Sequence, residues 1–271
     1  MKTKAFLSLL LSIGLISLSP FGEGVAGTLQ DVKARGKLIA GVKVDFPPFG
    51  FLDKKGVHKG FDIDIAKALS KGLLGNEGAV EFVSVTSENR IPFLISRKID
   101  VIVATLTITE ERKRNVDFSI PYFITAEMIL VRADSKITKY QELAGKKVAT
   151  IRGSTGDIAI GELVPTAERV EFELNSEALQ ALKERRVEAF VQDYLLLYAL
   201  MQKTRGVKMA GLQPFRPGRY GLAVRQGDKE WLDFINATLT KMKETGEYGK
   251  LLDKWFGPEA RALWRFFEPE K

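Results

Sequence analysis

Short apolar runs alternate with longer amphipathic stretches along most of this chain. Apolar runs without a helical period are typical of buried strands, whereas apolar residues spaced three or four apart predict helices. In the segment Phe61–Leu73, for example, Ile63, Ala66 and Leu69 share one helical face, and a glycine lies near either end. Alternating strands and helices of this kind predict an α/β protein with mainly parallel sheets.

The same patterns predict the remaining elements. The predicted strands are Leu38–Val42, Val80–Val85, Ile99–Val103, Met128–Val131, Lys147–Ile151, Arg169–Phe172, Glu188–Val191 and Tyr220–Val224. The other predicted helices are Ile91–Arg97, a helix from about Thr155, Ser176–Arg186, Lys229–Thr245, Tyr248–Phe256 and a terminal stretch to Phe267.

Two interruptions divide this series into two lobes. A new strand–helix series begins near Lys147, and the run from Pro214 to Arg219 breaks the pattern before the last strand. One lobe is therefore expected to be inserted into the other, with two connecting segments acting as a hinge. We assign residues 27–125 and 219–271 to lobe 1 and residues 126–218 to lobe 2.

The N-terminal segment has the features of an export signal. A basic start, an apolar run from Ala5 to Leu18 and small residues up to Ala26 predict a cleavable signal peptide over residues 1–26. The run is shorter than the about 20 residues that span a membrane, and a retained N-terminal anchor is the alternative. Export without any cysteine fits the periplasm, and it excludes disulfides and thiol chemistry.

The net charge of +7 arises from basic residues scattered among acidic ones. Such mixing is typical of a solvated surface rather than a nucleic-acid patch. We therefore expect a monomer with no nucleic-acid partner, and no sequence pattern predicts a metal site or a cofactor.

The segment from Thr105 to Arg112 is the strongest candidate for ligand chemistry. Alternating threonines precede Arg112, so hydroxyls, backbone N–H groups and a guanidinium can meet one small anion. A guanidinium matches a carboxylate through two parallel hydrogen bonds. The segment lacks a neighbouring nucleophile, which favours a carboxylate clamp over a catalytic centre. The alternative is a solvent-facing Arg112 that pairs with Glu110 or Glu111.

Several short motifs, in their order and spacing, carry a resemblance over nearly the whole mature chain. They are P-P-F-G-F from Pro47, G-F-D-I-D from Gly60, N-R-I-P from Asn89, T-I-T-E-E-R from Thr107, V-D-F-S from Val116, P-Y from Pro121, G-K-K-V from Gly145, G-S-T from Gly153, and Asp193 after a strand. In these motifs the chain resembles family 3 of the bacterial extracellular solute-binding proteins, the periplasmic amino-acid-binding proteins of ABC transporters. The glutamate/aspartate-binding members are the most similar. The resemblance implies the two-lobed periplasmic-binding-protein type II fold, closure on one amino acid, and a membrane permease as partner.

The resemblance also implies a role for each site residue. The residue matching Arg112 grips the ligand's α-carboxylate, the Thr105–Thr107 segment supports it, and Thr155 meets it from the other lobe. The residue matching Asp193 accepts the α-ammonium group. The aromatic ring matching Phe46 packs over the ligand's carbon chain. Each ligand charge thus meets an opposite charge, as a dry cleft requires.

Lys43 and Arg90 bear on side-chain selectivity. Relatives that take basic amino acids have an acidic residue at the position of Lys43, whereas glutamate/aspartate binders have basic residues at both positions. Ser87 leaves room for Arg90 to reach inward. The resemblance therefore implies glutamate or aspartate, unless Glu88 or Asp45 neutralises these bases. Glutamine or another polar amino acid is the alternative ligand.

Each of these residues also has a purely structural alternative. Arg90 can cap its own helix, Lys43 can be solvated, Phe46 can belong to the core, and Asp193 can cap the next helix. A periplasmic dehydratase-like enzyme on the same fold is the competing function. It needs a general acid or base in the cleft, and the candidate residues leave no spare acid, so we expect a binding protein and not an enzyme.

Overall fold

The computed structural model describes residues 27–211 and 213–257. The predicted signal peptide lies outside the described residues, as does the predicted terminal part of lobe 1 beyond residue 257. The strands are β1 (Leu38–Val42), β2 (Asp45–Phe46), β3 (Gly50–Leu52), β4 (His58–Lys59), β5 (Val80–Ser84), β6 (Val101–Ile102), β7 (Val116–Phe118), β8 (Phe123–Arg132), β9 (Lys147–Ile151), β10 (Glu168–Phe172), β11 (Ala189–Asp193), β12 (Val207–Met209), β13 (Phe215–Tyr220) and β14 (Ala223–Arg225).

The helices alternate with these strands. They are α1 (Thr28–Arg35), α2 (Phe61–Leu74), α3 (Arg90–Ile95), α4 (Glu110–Lys113), α5 (Thr155–Leu163), α6 (Asn175–Lys183), α7 (Tyr194–Lys203), α8 (Lys229–Glu244) and α9 (Glu247–Phe256), with a 3-10 turn over Tyr140–Leu143. No helix within the described ranges is long and apolar enough to cross a membrane.

Two larger sheets form the two lobes of the fold. The first has the order β5-β1-β6-β14-β7, in which β5, β1 and β6 are parallel and β14 is antiparallel to its neighbours. Helices α2 and α3 pack on it, and α8 and α9 pack on α2. A small antiparallel sheet, β2-β3-β4, joins the same lobe through its contacts with α2. This lobe has its own core, which includes Phe61 and Trp231.

The second sheet has the order β10-β9-β11-β8-β12, and β13 also pairs with β8. Strands β10, β9 and β11 are parallel, whereas β8 runs antiparallel to β11, β12 and β13. Helices α5, α6 and α7 cover this sheet. Phe190 and Ile160 lie in the two apolar clusters of this lobe. The predicted parallel strand–helix units are present, but both sheets are mixed rather than mainly parallel, because antiparallel return strands complete each one.

Strands β8 and β13 run side by side between the lobes. Phe123 and Tyr220, at one end of the pair, belong to the core of the first lobe. At the other end Glu127 pairs with Phe215, inside the second sheet. The two segments fit the expected hinge, and the boundary residues of the lobes stay a prediction.

The break predicted over Pro214–Arg219 is wrong, because this segment forms β13. The strand tolerates a proline because it pairs with β8 alone and because its register shifts between Phe215 and Pro217. Arg216 takes a left-handed φ of 49° at this irregularity. A pattern rule treats proline and glycine as breakers, although an irregular edge strand can hold both.

Candidate ligand-binding site

The predicted site residues lie where strands of the two sheets end and the lobes face each other. Ligands of open α/β sheets bind beyond the carboxyl ends of the parallel strands, where the connecting loops converge. All of them expose 8% or less of their surface, although most are polar or charged: Lys43, Phe46, Arg90, Thr105, Thr107, Arg112, Thr155 and Asp193. Buried polar groups need partners.

Arg112 connects the two lobes. Its guanidinium donates to the carbonyl of Thr107 at 2.8 Å and to the carbonyl of Gly153 at 3.0 Å. The solvent-facing alternative is therefore wrong, and Lys113 pairs with Glu110 instead, at 2.7 Å. Thr109 caps α4 by accepting the N–H of Arg112. This cap fixes where the helix begins and so directs the Arg112 side chain inward.

The threonine segment is held in an unusual backbone conformation. Thr105 has a φ of 46°, which a β-branched residue adopts only under constraint. Its N–H donates to Asp62 Oδ2 at 3.1 Å, and the Tyr122 hydroxyl donates to the other oxygen of Asp62 at 2.9 Å. Burial raises the pKa of Asp62 to about 7. Sequence reasoning missed this support, although it singled out the motif that contains Asp62.

Arg90 and Lys43 are two buried cations in one electrostatic cluster. Arg90 donates to the carbonyls of Ala104 and Thr105, at 2.6 and 3.2 Å, and its buried Nε has no partner. Lys43 Nζ donates to Ser87 Oγ at 2.8 Å. Burial, then the charge of Arg90, lowers the pKa of Lys43 to about 7. Burial and Arg112 lower the pKa of Arg90 to about 9. The solvated and locally capping alternatives are wrong.

Asp193 ends β11 and precedes α7, but its carboxylate does not cap that helix. It accepts instead from the hydroxyl of Thr125, which also accepts from Tyr220 at 3.2 Å. Burial raises the pKa of Asp193, whereas the charges of Arg90 and Arg112 lower it. The carboxylate is therefore tied to the cation cluster by charge and not by direct ion pairs.

Thr155 begins α5, as predicted, and Ser154 caps this helix by accepting the N–H of Asp157 at 3.1 Å. The hydroxyl of Thr155 lies 3.4 Å from that of Thr107, across the cleft. The first N–H groups of α5 have no partner within the helix and favour an anion. Phe46 differs from the other site residues because it belongs to the apolar core of the first lobe. Its ring centroid lies 5.9 Å from that of Phe49.

Backbone contact brings the lobes together at Gly153. This glycine has a φ of 73°, and a Cβ built on it would lie 3.0 Å from Glu88 Cα and 3.1 Å from Ser87 O. Next to it Arg152 and Glu88 face each other at 3.8 Å, both half exposed. Glu88 therefore lies at the rim and bonds to neither Lys43 nor Arg90.

Comparison with known proteins agrees with this architecture. The family model of the bacterial extracellular solute-binding proteins, family 3, matches residues 38–258. The chain belongs to this family.

Family 3 relatives of this chain are described as amino-acid binders. The ABC transporter glutamine-binding protein GlnH of Bacillus subtilis (strain 168) is 42% identical over 86% of each chain. A solved ancestral arginine-binding protein bound to glutamine is 43% identical, with a TM-score of 0.78 over 82% of this chain and 99% of its own. The ancestral amino-acid-binding protein AncCDT-1, a precursor of cyclohexadienyl dehydratase, is 39% identical, with a TM-score of 0.78 over 85% and 100%.

One buried acid of this family 3 site was missed by sequence reasoning. Glu127 pairs directly with Asp193 across β8 and β11, so both side chains leave the same face of the sheet. It is 1% exposed, and its Oε2 has no partner. Burial and the neighbouring Asp193 raise its pKa. The expectation of no spare acid is therefore wrong. Within the described residues no group of His, Cys, Asp and Glu is arranged to hold a metal.

Proposed function

We propose that this chain is the periplasmic substrate-binding component of an ABC-type amino-acid importer, and that its lobes close on one polar amino acid. The observation that carries the proposal is the buried charge cluster between the lobes. Lys43, Arg90 and Arg112 are buried cations, and none forms an ion pair with a carboxylate of the described residues. Buried charges without a direct ion-pair partner are costly, and an amino acid supplies a carboxylate group.

The α-carboxylate fits beside Arg112 and Thr155. Arg112 brings a guanidinium held by carbonyls of both lobes, and Thr155 brings the start of α5. A carboxylate there gains a charged partner and helix N–H donors together. Asp193 is the matching acceptor for the α-ammonium group. The charges of Arg90 and Arg112 favour its ionised form, and one of its carboxylate oxygens accepts from the Thr125 hydroxyl.

The ligand side chain is then directed to Lys43 and Arg90. Arg90 uses one nitrogen on backbone carbonyls and leaves its Nε without a partner, so it has donor capacity to spare. The repulsion between the two cations, which lowers the pKa of Lys43, is relieved by an anion. This supports glutamate or aspartate as the ligand. Asp45 is engaged by Asn175 at 2.6 Å and is not a direct partner of either base.

Glutamine is the second candidate. The relative from B. subtilis is described as a glutamine-binding protein, and the ancestral protein was solved with glutamine. An amide oxygen can accept from Lys43 and Arg90 as well. With a pKa of about 7, Lys43 is close to half neutral at pH 7, which reduces the disadvantage of an uncharged side chain.

Ligand screening distinguishes the two candidates. We expect glutamate or aspartate to raise the melting temperature of the purified mature protein most among the twenty amino acids. Calorimetry should give about ten- to a hundred-fold tighter binding of the acid than of its amide, since bonds to charged groups contribute about 1.5–3 kcal/mol. The Arg90→Leu variant should lose this preference, whereas Arg205→Leu, at an exposed arginine, should keep it.

Two results would change the assignment. A wild-type preference for glutamine would overturn the acidic specificity and establish the second candidate. No stabilisation by any amino acid would overturn the receptor function itself and return Glu127 to consideration as a general acid.

A further inference from the structure

A second set of contacts joins the lobes, away from Arg112, between Asp45 and Asn175. Asp45 lies in β2 of the first lobe, and Asn175 begins α6 of the second. The carboxylate of Asp45 accepts the backbone N–H of Asn175 at 2.6 Å and its side-chain amide at 3.2 Å, and the carbonyl of Asp45 accepts the same amide at 3.4 Å. Asn175 is 2% exposed, and Asp45 is half-buried.

Asp45 performs for α6 the task of a capping residue, but from the other lobe. The residue at the N-cap position, Leu174, has a side chain that cannot accept a hydrogen bond. The N–H of Asn175, like the other first N–H groups of a helix, has no acceptor within the helix and depends on an outside one. A carboxylate at this position also interacts favourably with the helix dipole. These contacts exist only while the lobes are together, so they stabilise the closed arrangement specifically.

The same residues lead directly to the proposed ammonium acceptor. The side-chain oxygen of Asn175 accepts from the amide of Gln192 at 3.1 Å. The oxygen of Gln192 in turn accepts the backbone N–H of Asp193 at 3.0 Å. Asp45, Asn175, Gln192 and Asp193 thus form a continuous hydrogen-bonded series from one lobe to the end of β11, and the buried members fix one another's orientation.

We propose that Asp45 and Asn175 form a closure latch that holds the lobes together over the ligand and positions Asp193 through Gln192. The inference rests on the proposed function and adds to it two positioning residues that need not touch the ligand. An open protein can still bind the α-carboxylate of the amino acid at Arg112, which lies in the first lobe. The latch then acts on how long the closed complex lasts, and so on the dissociation rate more than on the association rate.

A double-mutant cycle tests the latch, with glutamate and glutamine as the probes. We expect Asp45→Ala to raise the dissociation rate and Kd by about 5- to 30-fold with little change in association rate. Asn175→Ala should cause a smaller loss, because its backbone N–H remains for Asp45. The double variant should lose less than the sum of the two single losses, since both changes remove the same Asp45–Asn175 contacts. Asp45→Asn, which keeps an acceptor oxygen, should recover part of the loss.

The other rim of the cleft supplies the matched control. Glu88→Gln removes the half-exposed pair with Arg152 and should change Kd by less than about twofold. Melting curves of the ligand-free variants report whether each one folds.

The cycle also removes a competing explanation. Asp45 raises the pKa of Lys43 through its charge, and Asp45→Ala can therefore act on the ligand through Lys43. Asn175→Ala leaves that charge in place. Additive losses in the double variant, or an unchanged dissociation rate for Asp45→Ala, would overturn the latch while wild-type binding still supports the receptor. A wild-type protein that binds neither probe nor any other amino acid would instead remove the proposed function.

Discussion

Alkaline pH should weaken the binding of glutamate far more than the binding of glutamine. The group responsible is Lys43, because burial and Arg90 lower its pKa from the ordinary 10.5 to about 7. A ligand carboxylate beside Lys43 stabilises the ammonium form and raises the pKa in the complex. Above pH 7 the closed complex with the acid must therefore keep a proton on Lys43, whereas the closed complex with the amide imposes no such requirement.

The sign and size follow from linkage. Lys43 has a higher pKa in the glutamate complex than in the same closed arrangement without a ligand carboxylate. The preference for glutamate is thus fully present below about pH 7 and is lost as the pH rises toward the pKa of the complex. In the closed arrangement without a ligand carboxylate, about half of Lys43 is protonated at pH 7 and about 1% at pH 9. The preference should fall up to about 50-fold over this interval, or about 2.3 kcal/mol at 1.36 kcal/mol per pKa unit.

Calorimetric titrations at pH 6, 7, 8 and 9 measure this effect as the ratio of the two dissociation constants. The α-ammonium and α-carboxylate groups occur in both ligands, so their own titration cancels in the ratio. At pH 8, the glutamate complex should hold close to one proton more than the glutamine complex, seen as a difference between the two ligands in how the heat depends on the ionisation enthalpy of the buffer. Lys43→Met should flatten the ratio and abolish this difference.

A ratio that stays constant from pH 6 to pH 9, in a protein that binds glutamate, would refute the reasoning. It would mean that no ligand carboxylate meets Lys43. A constant ratio in wild type together with a loss of preference in Arg90→Leu would assign the side-chain carboxylate to Arg90 alone.

Two further predictions concern the α-carboxylate and lobe closure. Arg112→Ala should weaken calorimetrically measured binding of every amino acid, by about 2–5 kcal/mol, because the α-carboxylate is common to all; near-normal affinity would show that the clamp lies elsewhere. Ligand should reduce the radius of gyration in solution scattering, since Arg112 and Thr155 approach the ligand from different lobes. A scattering profile that saturating ligand leaves unchanged would contradict closure.

Periodicity predicted most elements of the fold because each of these strands and helices buries an apolar run or an apolar face against the core of its own lobe. The helix predicted from Phe61 is α2, with one additional residue at its end. Errors arose where pairing with a neighbouring strand, rather than local composition, determines whether a segment is a strand. The strand predicted over Ile99–Val103 is assigned only over Val101–Ile102, although the N–H groups of Asp100 and Val103 also donate to carbonyls of β1.

The sequence predicted those site residues whose neighbours along the chain indicate their role. Arg112, in a run of charged residues, was identified by the threonines ahead of it and proved buried. Glu127 and Asn175 carried no such signal, because each depends on a neighbour distant in sequence. A glutamate within an apolar strand is the one local sign of Glu127, since a charged residue on a buried face requires a reason.

Gly153 gives the cleft a minimum width. Its backbone already lies against Glu88, and the positive φ restricts larger residues there. Contact at Gly153 therefore limits how far the lobes can close, and the space left in the closed cleft limits the size of the ligand that fits. A side chain that exceeds this space props the lobes apart and keeps Asp45 away from Asn175. An oversized ligand is then selected against because the lobes cannot close around it, and not because it clashes within the pocket.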